Sequence, residues 1–315
     1  MDEIKLITAR ELQKKEIPPL KWIINDILPE GLTVLAGSQK HGKSLLAMNM
    51  AMAIASANHF MGKFENLSGK VLYLPFEDGE TRVQKRINEI SKGYSLEFAP
   101  EDLIIPDSCY FPELNAGSFN YLNRIIKEKD IQLVVIDPLG AAISDANISQ
   151  NYNYFKDYQM MKKFQQLANK TRISIVLIHH TRKMPSQQIF DKILGTKAIT
   201  GASDVNMVLE KTPMESYLHI QGRDIEDKIY RLNLSKENFT YSLNGEGEPD
   251  RNSPERKAII KVFNNSFDKE MKVEEIIRQS GMKNDNVRQL VKSMRDAGQL
   301  IDGSSRGFYK LPSPN

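Results

Sequence analysis

Through the first two thirds of the chain, apolar residues fall in short unbroken runs separated by stretches in which they recur every three or four positions. The runs are "GLTVLAG" (31–37), "GKVLYLPFE" (69–77), "IQLVVIDP" (131–138) and "ISIVLIHH" (173–180), and the periodic stretches are 44–57, 80–92 and 152–170. Several runs are apolar on both faces and rich in Val, Ile and Leu, as buried parallel strands are, and helix periodicity between them predicts a parallel α/β sheet. Farther on, "DVNMVLEK", "SYLHIQGRD" and "IYRLNLS" read as strands joined by short turns, an antiparallel extension at one side of that sheet.

Periodicity stops at "SLNGEGEPDRNSP" (242–254), where Gly, Pro, Asn and charge collect, and 242–253 is read as a linker. Beyond it lie three helical patterns: 254–265 with Ile259, Ile260, Val262 and Phe263; 272–279 with Val273, Ile276 and Ile277; and 284–297 with Val287, Leu290, Val291 and Met294. Spacings of three and four give each helix one buried face. "QLIDGSSRGFYKL" then predicts two short strands around a Gly-rich turn. The expected layout is an N-terminal arm over 1–30, an α/β domain over 31–241, the linker, and a small domain over 254–315. Within the arm, Trp22 reads as a packing anchor.

At 315 residues, two domains are expected. Forty percent apolar and 26% charged residues are ordinary for a soluble protein, and a net charge of +3 does not by itself announce nucleic acid. The single Cys109 forms no internal disulfide, and no apolar stretch after Met1-Asp2-Glu3 forms a signal peptide, so a reducing cytoplasm is expected. No window approaches the roughly 18 consecutive apolar residues of a membrane span, so no membrane partner is expected.

Candidate chemistry enters at residues 37–44. Gly37, Gly42, Lys43 and Ser44 stand in the spacing G-x-x-x-x-G-K-S between a strand and an apolar helix. Backbone N–H groups of such a loop converge on phosphate, helped by the helix dipole, and glycine permits the close approach. Gly37, Ser38, Gln39, Lys40, His41, Gly42, Lys43, Ser44 and Leu45 are therefore the expected nucleotide cradle, with Lys43 on the β and γ phosphates and the Ser44 hydroxyl on Mg²⁺. Hydrolysis needs two further carboxylates. Asp137 ends a buried strand and is the candidate for the Mg²⁺ shell, against a local role as a turn residue before Pro138. Glu77 is the candidate for orienting water, against an N-cap role for it or Asp78. His179 and His180 close another strand, either as a γ-phosphate sensor or as a packed or solvated pair.

With "GSQKHGKS", "VLYLPFEDGETRVQKRI", "LVVIDPL", "IVLIHHTRK" and "TGASDVNMVLE" in this order, about the first 240 residues resemble the RecA-like ATPases of the RepA type, which include hexameric replicative helicases. The resemblance implies ATP and Mg²⁺ as cofactors, Lys43 and Ser44 on phosphate and metal, Glu77 as the water-activating carboxylate, Asp137 as the second acid, and His180 or His179 as the switch. It also implies a basic loop facing single-stranded DNA in a ring channel, here carrying Arg182, Lys183, Lys192 and Lys197. A solvated surface loop is the alternative. Arg223 in "HIQGRD" is the candidate cation supplied to a neighbouring subunit, against a strand-edge pair with Asp224; Gln221 stands where ring helicases often carry Lys.

"KNDNVRQLVKSMRDAG" resembles the recognition helix of winged helix-turn-helix domains, and Arg288, Lys292 and Arg295 with Arg306 of the wing are candidates for duplex DNA. Such domains also dock proteins, and Asp285, Asp296 and Asp302 dilute the basic face. Two functions are carried forward: a hexameric helicase or translocase on single-stranded DNA of a plasmid, phage or mobile element, and an ATP-controlled initiator, loader or regulator on duplex DNA that does not unwind. A filament-forming recombinase would share the ATPase core.

Overall fold

The computed structural model describes residues 6–143, 154–181, 188–194, 197–212, 215–247, 254–266, 270–282, 284–296, 299–305 and 307–312. The chain divides into two compact units, Met1–Glu248 and Pro249–Asn315.

The first unit runs α1 (Ala9–Lys14), β1 (Trp22–Ile24), β2 (Leu28–Pro29), β3 (Gly31–Gly37), α2 (Lys43–Ala55), β4 (Lys70–Pro75), α3 (Glu80–Gly93), β5 (Leu103–Ile104), α4 (Ala116–Lys129), β6 (Ile131–Asp137) and α5 (Leu139–Ala142). It continues with α6 (Tyr154–Thr171), β7 (Ser174–His180), α7 (Lys197–Ala202), β8 (Val205–Lys211), β9 (Ser216–Gly222), β10 (Lys228–Leu234) and β11 (Tyr241–Glu246). Strands β3 to β11 form one nine-stranded sheet in the order β11-β10-β9-β8-β3-β7-β6-β4-β5. Pairs from β8 through β3, β7, β6 and β4 to β5 are parallel, and β8-β9, β9-β10 and β10-β11 are antiparallel. The parallel core and its antiparallel flank are the mixed α/β architecture of a P-loop NTPase.

Alternation along the central strands divides the core between two faces. Leu35, Val71, Tyr73, Leu133 and Val135 pack with Leu46 and Met50 of α2, whereas Leu32, Val34, Leu72, Leu74, Val134 and Ile136 pack with Leu122 and Ile126 of α4 and Met161 and Phe164 of α6. Helix α2 is apolar nearly all round, which demands cover on every side. The antiparallel flank supplies it. Asn49 in α2 donates to the Phe239 carbonyl at 2.9 Å and accepts from the Tyr241 N–H at 3.1 Å, while Tyr230, Leu232 and Tyr241 join the α2 core.

Several boundaries differ from the sequence reading. Residues 22–29, assigned to the arm, hold fully buried Ile23, Ile24, Ile27 and Leu28, because the β1-β2 hairpin closes the α2 core. The linker assigned from 242 begins later, since β11 continues to Glu246; as the edge strand it exposes most of its length and therefore has a linker's composition. Helix α4 and strand β5 were not anticipated.

The preceding segment is fastened through Lys21, whose ammonium donates to the Gln132 side chain and, at 3.4 Å, to the Arg172 carbonyl, and through the Arg172 side chain. Arg172, just after α6, holds Glu30 in a fork at 2.8 and 2.7 Å and donates to the Pro19 carbonyl at 2.9 Å. The guanidinium pulls the Glu30 carboxyl below its ordinary value. Stability from a depressed carboxylate is present above the ordinary range and is lost as pH falls through the lowered value. Glu30→Gln is expected to cost about 1 kcal/mol at neutral pH, with the gap to wild type closing in acid, read from urea midpoints at both pH values.

The second unit comprises α8 (Pro254–Asn265), β12 (Glu270–Lys272), α9 (Val273–Ser280), α10 (Asn284–Asp296), β13 (Ile301–Asp302) and β14 (Phe308–Lys310). Ile259, Val262 and Phe263 of α8, Ile276 of α9, and Val287, Val291 and Met294 of α10 form its core with Met271 and Leu300. The strands pair as β12-β14-β13; β12 takes Glu270 and Met271, which sequence periodicity left unassigned, and Lys272, which it gave to the following helix. Among the described residues, no helix is long and apolar enough to cross a membrane.

Candidate functional site

Parallel strands β3, β7, β6 and β4 end side by side, with Gly37 opposite His180 and Pro75 opposite Asp137. Carboxyl ends of parallel strands are where open α/β sheets bind ligands. From β3 the chain turns through residues 38–42 into α2. Gly42, the cap of that helix, has φ +94°, a left-handed value that a side chain resists, and a Cβ there would collide with the Tyr241 hydroxyl. A Cβ on Gly37 would lie 2.7 Å from the Leu209 carbonyl and press on the Lys43 stem. Both glycines keep the turn against its neighbours. Lys40 and Gln39 are exposed at the tip, Leu45 is half-buried, and the His41 imidazole reaches the Leu209 carbonyl; burial lowers its pKa.

Lys43, the first helical residue, is buried, with Nζ 3.0 Å from the Ser38 carbonyl and 3.4 Å from His180 Nδ1. Burial lowers the ammonium pKa, and the charges of Asp137 and Glu77 work against that shift. Ser44 donates to one carboxylate oxygen of Asp137 at 3.0 Å, and the Tyr73 hydroxyl donates to the other at 2.5 Å. Burial raises the Asp137 pKa despite these two donors. A carboxylate enclosed this way gains from a cation at its open edge.

Glu77 lies two residues beyond β4, exposed and without a hydrogen bond or ion pair among the described residues. Its charge acts on both Lys43 and His180. Asp78, by contrast, is bound to Arg82 and Arg86 of α3. The two neighbouring acids thus differ: Asp78 fastens a helix, while the charge of Glu77, the sequence candidate, acts toward Lys43 and His180.

The two histidines separate as well. His179 is half-buried, with Nε2 2.9 Å from the Leu194 carbonyl, and the Leu194 N–H donates to the His180 carbonyl at 2.9 Å. Burial lowers the His179 pKa, keeping the ring a neutral donor that closes the base of the loop after β7. His180 points at Lys43, and burial followed by the Lys43 charge lowers its pKa. Thr181, the first residue past β7, has its hydroxyl 3.1 Å from that of Ser38 in the glycine-rich turn.

Within the loop after β7, Lys192 is half-buried in a short turn, and Lys197 is exposed at the start of α7; Arg182 and Lys183 lie outside the described residues. Arg223 does not join Lys43. It follows β9 where Gly222 pairs with Val205, itself opposite Thr33, which is the other end of the sheet. There it donates to the Gly201 carbonyl at 2.8 Å and lies 3.5 Å from Asp204, which replaces Asp224 as its acidic neighbour. In the second unit, Arg288, Lys292 and Arg295 are exposed on α10, with Arg288 3.2 Å from Glu274; Arg306 lies outside the described residues.

Tyr73 was missed by sequence reasoning. Its signal is a single polar tip in the apolar run "VLYLP", but its aim at Asp137 follows only from β4 lying beside β6. A family described as AAA domain matches residues 2–186, a span that includes the glycine-rich turn, Glu77, Asp137 and His180.

Proposed function

The chain belongs to the AAA-domain family, a family of P-loop ATPases, and from that premise we propose that it is a RecA-like, RepA-type motor that hydrolyses ATP between the subunits of a ring, a hexamer by that resemblance, and translocates on single-stranded DNA. The site's residues suit a magnesium-bound triphosphate: two glycines leave room for phosphate against backbone, and Ser44 and Asp137 present oxygen ligands side by side. Bound magnesium supplies charge neutralisation at the β and γ phosphates. Lys43 leaves the Ser38 carbonyl to meet the same phosphates, Tyr73 keeps the Asp137 carboxylate turned toward Ser44, and Glu77 orients the attacking water.

One observation carries the motor reading. His180 is within 3.4 Å of Lys43, and the next residue, Thr181, touches Ser38, so the loop after β7 departs directly from the phosphate turn. Gain or loss of the γ-phosphate therefore acts on Arg182, Lys183, Lys192 and Lys197, which neutralise phosphates of the strand in the channel. Each such contact contributes roughly −0.7 to the logarithmic salt slope. Arg223, at the opposite end of the sheet, serves a neighbour's nucleotide and leaves Asp204 to do so.

The second unit reads as a winged helix-turn-helix module, with α10 as its recognition helix and Arg288, Lys292, Arg295 and Arg306 toward duplex DNA. This tail favours the second function, an ATP-controlled initiator or regulator. ATPase rates with single-stranded and duplex DNA, beside unwinding of a forked substrate, discriminate between the two. Stimulation by single strands with unwinding is expected. Duplex-specific binding without unwinding overturns the motor and leaves the regulator.

A further inference from the structure

Helix α6 opens with Tyr154, Phe155 and Tyr158 exposed by 57%, 65% and 39%, although its buried face is well supplied by Met161, Phe164, Leu167 and Ala168. The two tyrosines are four positions apart and therefore share one side of the helix. Their rings are parallel, with 6.2 Å between centroids and 7° between planes. One turn farther along stand Lys162 and then Lys163, both exposed and without an acidic partner among the described residues.

Placement ties this stripe to the nucleotide site. Helix α6 ends at Thr171 and β7 begins at Ser174, opposite the first residue of β3, so the helix runs antiparallel to the strands. Its opening turn therefore sits toward the carboxyl ends of β6 and β7, the edge that holds Lys43 and Asp137. The charge of Asp157, in that turn, acts on His179, the residue that closes the base of the β7 loop.

We propose that Tyr154 and Tyr158, with Lys162 at their foot, form a base-stacking platform for single-stranded nucleic acid, a contact surface separate from the basic loop after β7. The proposal rests on the single-strand reading given above. Flat tyrosine faces stack on any base and so suit a motor that must pass every sequence, while an ammonium one turn away meets the strand's phosphates. Seams between protein copies also use tyrosine but are depleted of lysine, and Lys162 and Lys163 beside the rings therefore favour a phosphate-bearing strand over a second copy of the chain.

The test uses the full chain, a fluorescent oligo-dT and a nonhydrolysable ATP analogue. Replacing both rings (Tyr154→Ala with Tyr158→Ala) is expected to weaken oligo-dT binding at least about tenfold, with unstimulated ATPase unchanged, while the double Phe variant keeps near wild-type affinity. Lys162→Ala is expected to lower the salt slope by roughly 0.7, which the ring variants do not. Equal affinity of wild type and the double Ala variant overturns the platform and leaves the motor reading intact. Absence of oligo-dT binding by the wild type itself overturns both. A change in assembly mass without nucleic acid in the double Ala variant assigns the stripe to contact between copies and also overturns the platform.

Discussion

Lys43→Ala is expected to lower ATP hydrolysis at least about 10²-fold while leaving the fold intact. The ammonium is already desolvated beside the Ser38 carbonyl and His180, so its interaction with a developing phosphate charge is little screened by water. Removing it takes one cation from the transition state and costs the unliganded protein little, because a buried ammonium with a lowered pKa is itself an electrostatic expense. The nucleotide-dependent rise in thermal midpoint should shrink with it. Unchanged hydrolysis would remove residues 37–44 from the chemistry.

Asp137→Asn is expected to abolish hydrolysis to a similar degree and to raise the thermal midpoint of the nucleotide-free protein. The wild-type carboxylate is buried and its pKa is raised, so its charged form opposes folding at neutral pH. The sign follows from proton uptake: as pH falls through the raised value, the folded form binds a proton and the deficit relative to the amide variant closes. With magnesium and nucleotide the order reverses, because only the carboxylate gains from the cation. Scans at neutral and acid pH, with and without magnesium nucleotide, read all of these effects. A variant destabilised at neutral pH without ligand would mean that the Tyr73 and Ser44 hydrogen bonds outweigh the buried charge.

The strands that end in Gly37, Asp137 and His180 were legible because they are buried on both faces and therefore apolar throughout. The phosphate turn was legible because its spacing is a chemical requirement. Residues 22–29 were not: a hairpin of so few residues has no period, and only the open side of α2 explains why Ile23, Ile24, Ile27 and Leu28 are apolar. Helix α4 offers Leu122 and Ile126 as its deepest core residues, a stripe too sparse to stand out beside the runs on either side. Arg223 was legible as a cation at a strand end. Which end of the sheet it occupies depends on the antiparallel register of β8 and β9, and no local pattern encodes that.

The hydrogen-bonded clasp between Asn49 and the Phe239–Tyr241 backbone spans about 190 positions of sequence and seals the helix that carries Lys43 and Ser44. The segment matched by the family ends at residue 186, before β8 to β11, so excising that segment would strip α2 of its outer cover and β3 of one of its two neighbours. Recognition and autonomy thus part company: the stretch by which the chain is classified is not a piece that could stand as a folded body once cut loose from its own tail.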